Sequence, residues 1–474
     1  MYFFQEMHLI YFGMKFLNAI ISSLIVIPLY LLARTLWDEK EAFLLTIVTS
    51  LFPGFFAFSP YIMAENLFYP LFLTTIYGVY KSITESKISW FILTGVSFIA
   101  AYMTRVIAIA VIPIFAVLII QKWLRVKRRI LLSATLLLGI LLISGLIVGF
   151  TSDTLWRNIH FIRNIQVKDG IFFLIWIAGW ITYVALSTGI IPLIALTAGW
   201  KDDKRRVWIL IVIGLGVTLT GILALRAASG LIKIQNPIHL PGRPIGRYID
   251  MLSPLVIILG LNMIKKIQKP VYFLWGGLFA VGSVIFFFPL LPANNTTLTL
   301  IGVFQYGMGL LNIPQGYRFF LGMIAILIML TGWRLLQEKK EINVRFIFLG
   351  FLLFFILTNM LASGIEILSA KEWNKQEHVK LGEWLQKYNT DHARVVIDKK
   401  YCTAYDPRDT KSVCSPALHT SLLGVWLNSE IVVKEQKEVK AGDFFITKEE
   451  TSFVLIRKTE SGTYLYRKMF PQQP

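Results

Sequence analysis

Residues 17–73 read LNAIISSLIVIPLYLLARTLWDEKEAFLLTIVTSLFPGFFAFSPYIMAENLFYPLFL. Two apolar runs flank a short charged turn (Arg34, Asp38, Glu39, Lys40, Glu41), and a third run starts after Glu65 and Asn66. Each run approaches the roughly 20 residues that cross a hydrocarbon core. The same alternation continues along most of the 474 residues. Apolar residues make up 55% of the chain and aromatics 14%, with a mean hydropathy of +0.63. Soluble domains hold about 45–50% apolar residues. The chain therefore reads as a polytopic α-helical membrane protein. A β-barrel would show short alternating strands instead.

Twelve transmembrane helices are expected, at roughly 10–33, 41–60, 66–83, 89–104, 106–121, 130–150, 171–199, 207–225, 248–264, 270–290, 317–336 and 344–363. The long 171–199 span must tilt or bend, and Pro192 offers a kink. Alternate loops differ in charge. One set of short loops carries 20 Lys and Arg, including Lys122, Arg125, Lys127, Arg128 and Arg129, against ten in the other set. Short basic loops stay cytoplasmic, so the N-terminus and the tail face outward, on a multi-pass protein of the plasma membrane. The formal charge of +19 is thus a topology signal. No basic surface is interleaved with aromatics as nucleic-acid binding requires.

The composition changes near residue 364, which divides the chain into a membrane domain, 1–363, and a tail domain, 364–474. KEWNKQEHVKLGEWLQKY (371–388) has the apolar spacing of an amphipathic helix. ARVVID, SEIVVKE, DFFIT, SFVLIRK and TYLYRK read as short strands. The tail is expected to be a small extracytoplasmic α/β domain with its own core. The two cysteines, Cys402 and Cys414, flank TAYDPRDTKSV; on an outward domain they would form a disulfide or remain two thiols. No zinc spacing, phosphate loop or dinucleotide fingerprint is present.

The outward side also carries the long loops. Its acids in the membrane part are Glu6, Glu65, Asp153, Asp169 and Asp250. Glu65 has no other charge near it in sequence; at membrane depth such a group is costly and is paired or functional. It reads either as a site acid or as an interfacial cap on a helix dipole. NPIHLPGRPIGRYIDMLSP (236–254) is a rigid Pro- and Gly-rich loop projecting His239, Arg243, Arg247, Tyr248 and Asp250. Arginine's planar fork of donors suits phosphate, so the loop fits a lipid-linked phosphate or, equally, interfacial anchoring. Arg105 lies at a sharp outward reversal and needs a partner, Glu65 or a ligand phosphate. Arg157, His160 and Arg163, three apart, share one side of a short interfacial helix.

These residues together resemble the GT-C superfamily of membrane glycosyltransferases, which includes protein mannosyltransferases and the lipid A aminoarabinose transferase. The resemblance rests on the order LLARTLW, LFPGFFAFSP, AENLFYPLF, GVSFIAAYMTRVIAIAVIP and GRYIDMLSPLVIILG, and covers most of residues 15–265. It implies transfer of a sugar, with inversion, from a polyprenyl-phosphate donor to a glycan, lipid or protein acceptor outside the membrane. By position Glu65 matches the family's second acid, a metal ligand (Mg²⁺ or Mn²⁺) or acceptor-orienting group, with Asn66 beside it. Arg105, His239, Arg243, Arg247 and Tyr248 are the substrate-binding candidates. The family's first span and first outer loop, with its principal acid, have no counterpart here; MYFFQEMHLIYFGMKF matches only the end of that loop, leaving Glu6. A truncated or non-catalytic form, such as an assembly subunit, is therefore an alternative. A lipid or small-molecule transporter or flippase is another, although no repeat relates the two halves.

Overall fold

The computed structural model of the chain describes residues 7–56, 64–123, 167–188, 191–196, 203–228, 248–264, 344–375, 377–389, 391–400, 430–458 and 463–469. Two compact units are formed, Gly13–Ser363 and Gly364–Pro474 together with Met1–Phe12.

The helices of the first unit are α1 (Met7–Ser23), α2 (Val26–Arg34), α3 (Glu39–Ser50), the short α4 (Pro53–Phe56), α5 (Glu65–Glu85), α6 (Ile88–Thr104), α7 (Val111–Trp123), α8 (Val167–Thr188), α9 (Ile191–Ala195), α10 (Asp203–Ala228), α11 (Leu252–Met263) and α12 (Val344–Lys375); α1 and α12 run on into the second unit. Among the described residues two stretches are long and apolar enough to cross a membrane, Phe12–Arg34 and Arg205–Ala224, and five shorter apolar helices accompany them. Two expected rods are broken. A turn at Leu24 and Ile25 separates α1 from α2, and Pro53 opens a separate turn of helix; within the 171–199 span the described residues form α8 and α9. The expected spans at 130–150, 270–290 and 317–336 lie outside the described residues. Large apolar side chains such as Phe16, Phe43, Val96, Val217 and Leu357 remain exposed on these helices. Lipid would cover such a surface.

Helices α5 and α6 form a tight antiparallel hairpin. Ser86 adopts the left-handed conformation (φ 60°) that ends α5, and Lys87 starts the next helix. Between the two helices Thr75 donates to Ser97 at 3.1 Å, and the hydroxyls of Ser82 and Thr94 lie 3.2 Å apart. Hydroxyl pairs of this kind hold helices together where apolar burial alone gives little driving force. The turn after α2 is tied to later helices by side-chain bonds: Trp37 Nε1 donates to the Ile258 carbonyl (3.0 Å), Asn262 Nδ2 to that of Leu36 (2.9 Å), and Trp208 Nε1 to Thr35 Oγ1 (2.9 Å). Helix α11 lies almost wholly in the core, and its Gly260 is so close to α9 that a methyl there would come within 2.3 Å of the Pro192 carbonyl oxygen.

The second unit is an α/β fold. Helix α13 (Glu377–Tyr388) precedes β1 (Val395–Asp398), β2 (Ile431–Lys434), β3 (Phe444–Thr447), β4 (Val454–Lys458) and β5 (Tyr464–Arg467). All five strands fall where the alternating apolar segments place them. The sheet order is β2-β1-β3-β5-β4, with β1 parallel to β2 and β3, and β5 antiparallel to β3 and β4. Leu381 and Leu385 of α13 pack with Val395, Ile397, Phe444 and Leu465 on one face of the sheet. Val396, Phe445 and Tyr466 fill the other face with Val439. Burial on both faces explains the unbroken apolar run of β1. Asn389 bridges helix to strand by exchanging two hydrogen bonds of 2.8 Å with the backbone of Ala393. Cys402 and Cys414 lie outside the described residues.

Candidate active site

Glu65 is the first residue of α5, where the free N–H groups of the helix favour a negative charge. Its side chain is 1% exposed, and Oε1 accepts from Arg105 Nη2 at 2.6 Å. Arg105 is aimed by a break in the chain. It ends α6 in an extended conformation (φ −150°, ψ 120°), its N–H donates to the Ala101 carbonyl at 2.8 Å, and a 3₁₀ turn, Val106–Ala110, follows at once. This arrangement projects the guanidinium across the start of α5, where it keeps 26% of its side-chain surface exposed. One end of the fork is thus committed to the buried carboxylate while the group remains accessible, a geometry in which a second anion can be bound.

Tyr248 completes the contact. Its ring is buried, and the Arg105 guanidinium carbon lies 5.7 Å from the ring centroid, within cation–π range. Tyr248 stands in the turn that opens α11: Leu252 N–H donates to the Ile249 carbonyl (2.9 Å) and Ser253 N–H to that of Asp250 (3.1 Å). Asn66, next to Glu65, is buried.

Glu65, Arg105 and Tyr248, 183 positions from first to last, therefore meet in one cluster, and Asn66 stands at its edge. His239, Arg243 and Arg247 fall outside the described residues, as do Glu6, Arg157, His160 and Arg163. Asp250 was legible as one of five outward acids and as a projection of the 236–254 loop, with no role of its own. It is 0% exposed, and its Oδ1 accepts from the Tyr183 hydroxyl of α8 at 2.9 Å. The sequence signal for it was its place two residues after Tyr248; its partner, 67 positions upstream, had none. Among the described residues no three His, Cys, Asp or Glu side chains gather as a metal cage.

Residues 7–148, which contain Glu65, Asn66 and Arg105 but end well before Tyr248 and Asp250, match the family model described as dolichyl-phosphate-mannose-protein mannosyltransferase. Members of that family are multi-pass membrane glycosyltransferases that use polyprenyl-phosphate sugar donors. No curated protein and no solved structure matches the chain.

Proposed function

We propose that the chain is an integral-membrane, inverting glycosyltransferase of the GT-C type that works on the extracytoplasmic side of the membrane, with its tail domain on that side. The donor is a polyprenyl-phosphate-linked sugar lying in the outer leaflet, and the acceptor is a hydroxyl of a glycan, lipid or protein. The observation that carries this reading is the Glu65–Arg105–Tyr248 cluster, two members of which lie within the matched segment.

In this reading Arg105 holds the donor phosphate. As the glycosidic bond breaks, negative charge grows on the phosphate, and a guanidinium already oriented by a carboxylate and a ring neutralises it without reorganising. Glu65 sets the angle of that guanidinium and faces the acceptor hydroxyl together with Asn66. Arg243, Arg247 and His239 are the further phosphate contacts. A divalent cation at Glu65 would have to compete with Arg105 Nη2 at 2.6 Å, and among the described residues no three His, Cys, Asp or Glu side chains gather there to hold one.

The test is donor turnover by purified protein in nanodiscs supplied with dolichyl-phosphate mannose, read as release of free polyprenyl phosphate as the mannose passes to an added hydroxyl acceptor or, without one, to water. Wild type is expected to release it, and Arg105→Gln to lower the rate by about 100-fold or more. Movement of the intact donor across sealed vesicles without release would replace the enzyme by the transporter.

A further inference from the structure

Asp250 has no work in the scheme above, yet it occupies a place where a carboxyl group is costly. It is fully buried, with Oδ1 bonded to Tyr183 and, among the described residues, no hydrogen-bond partner at Oδ2. That second oxygen rests on Gly54 of α4, so closely that a Cβ at position 54 would lie 2.7 Å from Asp250 Cγ and 2.8 Å from Oδ2. Gly54 is therefore the seat of the carboxyl group, and only a residue without a side chain fits there. The turn Tyr248–Met251 is consequently gripped from two directions, by α8 through Tyr183 and by α4 through Gly54. At the other end of the same turn, the Tyr248 ring faces the Arg105 guanidinium at 5.7 Å.

We propose that Asp250 is a positioning residue. Its bond to Tyr183 and its seat on Gly54 hold the turn in register, so that the Tyr248 ring covers Arg105 and leaves the guanidinium edge free for a phosphate. The inference rests on the reading of Arg105 as the phosphate ligand. A Tyr248 ring that is free to swing would let Arg105 relax toward solvent and lose its orientation. Asp250 would then act on the ligand without touching it, through one peptide turn.

Two measurements on the full chain test this. The first is binding of a short-chain polyprenyl phosphate in nanodiscs. Tyr183→Phe and Asp250→Ala are each expected to weaken it about tenfold, the effect of one lost hydrogen bond at a charged site. Asp250→Asn, which keeps the acceptor oxygen, should restore most of the affinity. Ser253→Ala, equally buried one helical turn further on, should bind like wild type. Undiminished binding by both Tyr183→Phe and Asp250→Ala overturns the proposal. The second needs no ligand: melting temperatures of Asp250→Ala, Arg105→Gln and the double variant. Shifts that fail to add support a connection from Asp250 to Arg105, whereas additive shifts overturn it. If wild type binds no polyprenyl phosphate, the proposed function fails by itself, and the melting cycle still decides the role of Asp250.

Discussion

Glu65 and Arg105 are 40 residues apart in the chain and 2.6 Å apart in the fold. The distance is bridged by the α5–α6 hairpin: 21 residues up, a two-residue reversal and 17 residues back bring the chain within about 6 Å of its starting height, a gap that the two side chains span. The hairpin thus brings the first residue of one helix beside the residue that ends the next. The carboxylate that looked isolated in the sequence has its cation at the other end of the same supersecondary unit.

Breaking this pair should cost stability as well as activity. Glu65→Ala leaves a partly buried guanidinium without its acceptor and is expected to destabilise by about 1–3 kcal/mol. Glu65→Gln keeps an acceptor oxygen and should lose less. Thermal unfolding in detergent, followed by intrinsic tryptophan fluorescence, gives the ranking wild type, Gln, Ala. An Ala variant as stable as wild type would mean that the pair does not form.

Four glycines make a graded series. At Gly260 a methyl would come within 2.3 Å of the Pro192 backbone, which cannot yield, and at Gly54 within 2.6–2.8 Å of Phe52 and Asp250. Gly78→Ala meets Thr94 Oγ1 at 2.6 Å, an atom that can rotate, and Thr94 backbone at 3.2 Å. Gly221, on α10, has nothing within 4 Å of its virtual Cβ. Expected losses are about 3 kcal/mol or more for Gly260→Ala, about 1–3 for Gly54→Ala and Gly78→Ala, and none for Gly221→Ala, where removing backbone freedom gains slightly. Melting temperatures of the four variants provide the check.

In the α/β unit, Leu385 is fully buried between α13 and the sheet. Leu385→Ala should cost about 2–5 kcal/mol. Limited proteolysis is expected to cut the variant first within residues 377–469, leaving the helical unit intact.

The same unit contains a surface pair with a defined pH response. Lys437 Nζ, 2.8 Å from Glu435, holds the Glu435 carboxyl below the usual carboxylate range. A carboxyl depressed in the folded state stabilises above its unfolded value and loses that contribution as pH falls through the folded one. Protection of the amides in the Ile431–Glu438 segment, taken relative to the intrinsic exchange rate at each pH, should therefore fall as the pH is lowered below about 4.5, and Glu435→Gln should remove that component. Because the pair is exposed the effect is small and should shrink further in high salt.

Secondary structure in the α/β unit was readable because its strands alternate or are uniformly apolar between turn residues, and the α13 stripe repeats at helical spacing. The helical unit was less so. A continuous apolar run looks the same to hydropathy whether the rod is whole or broken, so the interruptions at Leu24 and at Pro53 did not show in the spacing of apolar residues, although Pro53 is visible as a residue type. Among site residues, Glu65 and Arg105 stood out as charges stranded among apolar neighbours. Asp250 did not, because its meaning comes from Tyr183 and Gly54, which are ordinary residues in their own segments.

By itself the sequence determined that this is a membrane-embedded chain with a mixed α/β tail, because the hydrophobic effect acts on composition and period, and both are local properties. It also determined which charges must find partners, since lipid gives them no alternative. Only the tertiary structure decided which partners they find. Pairing Glu65 with Arg105, bringing Arg105 over the Tyr248 ring and seating Asp250 on Gly54 each depend on helix reversals and on clearances of a few tenths of an ångström. Such clearances are set by the packing of many residues at once, and no single stretch of sequence encodes them.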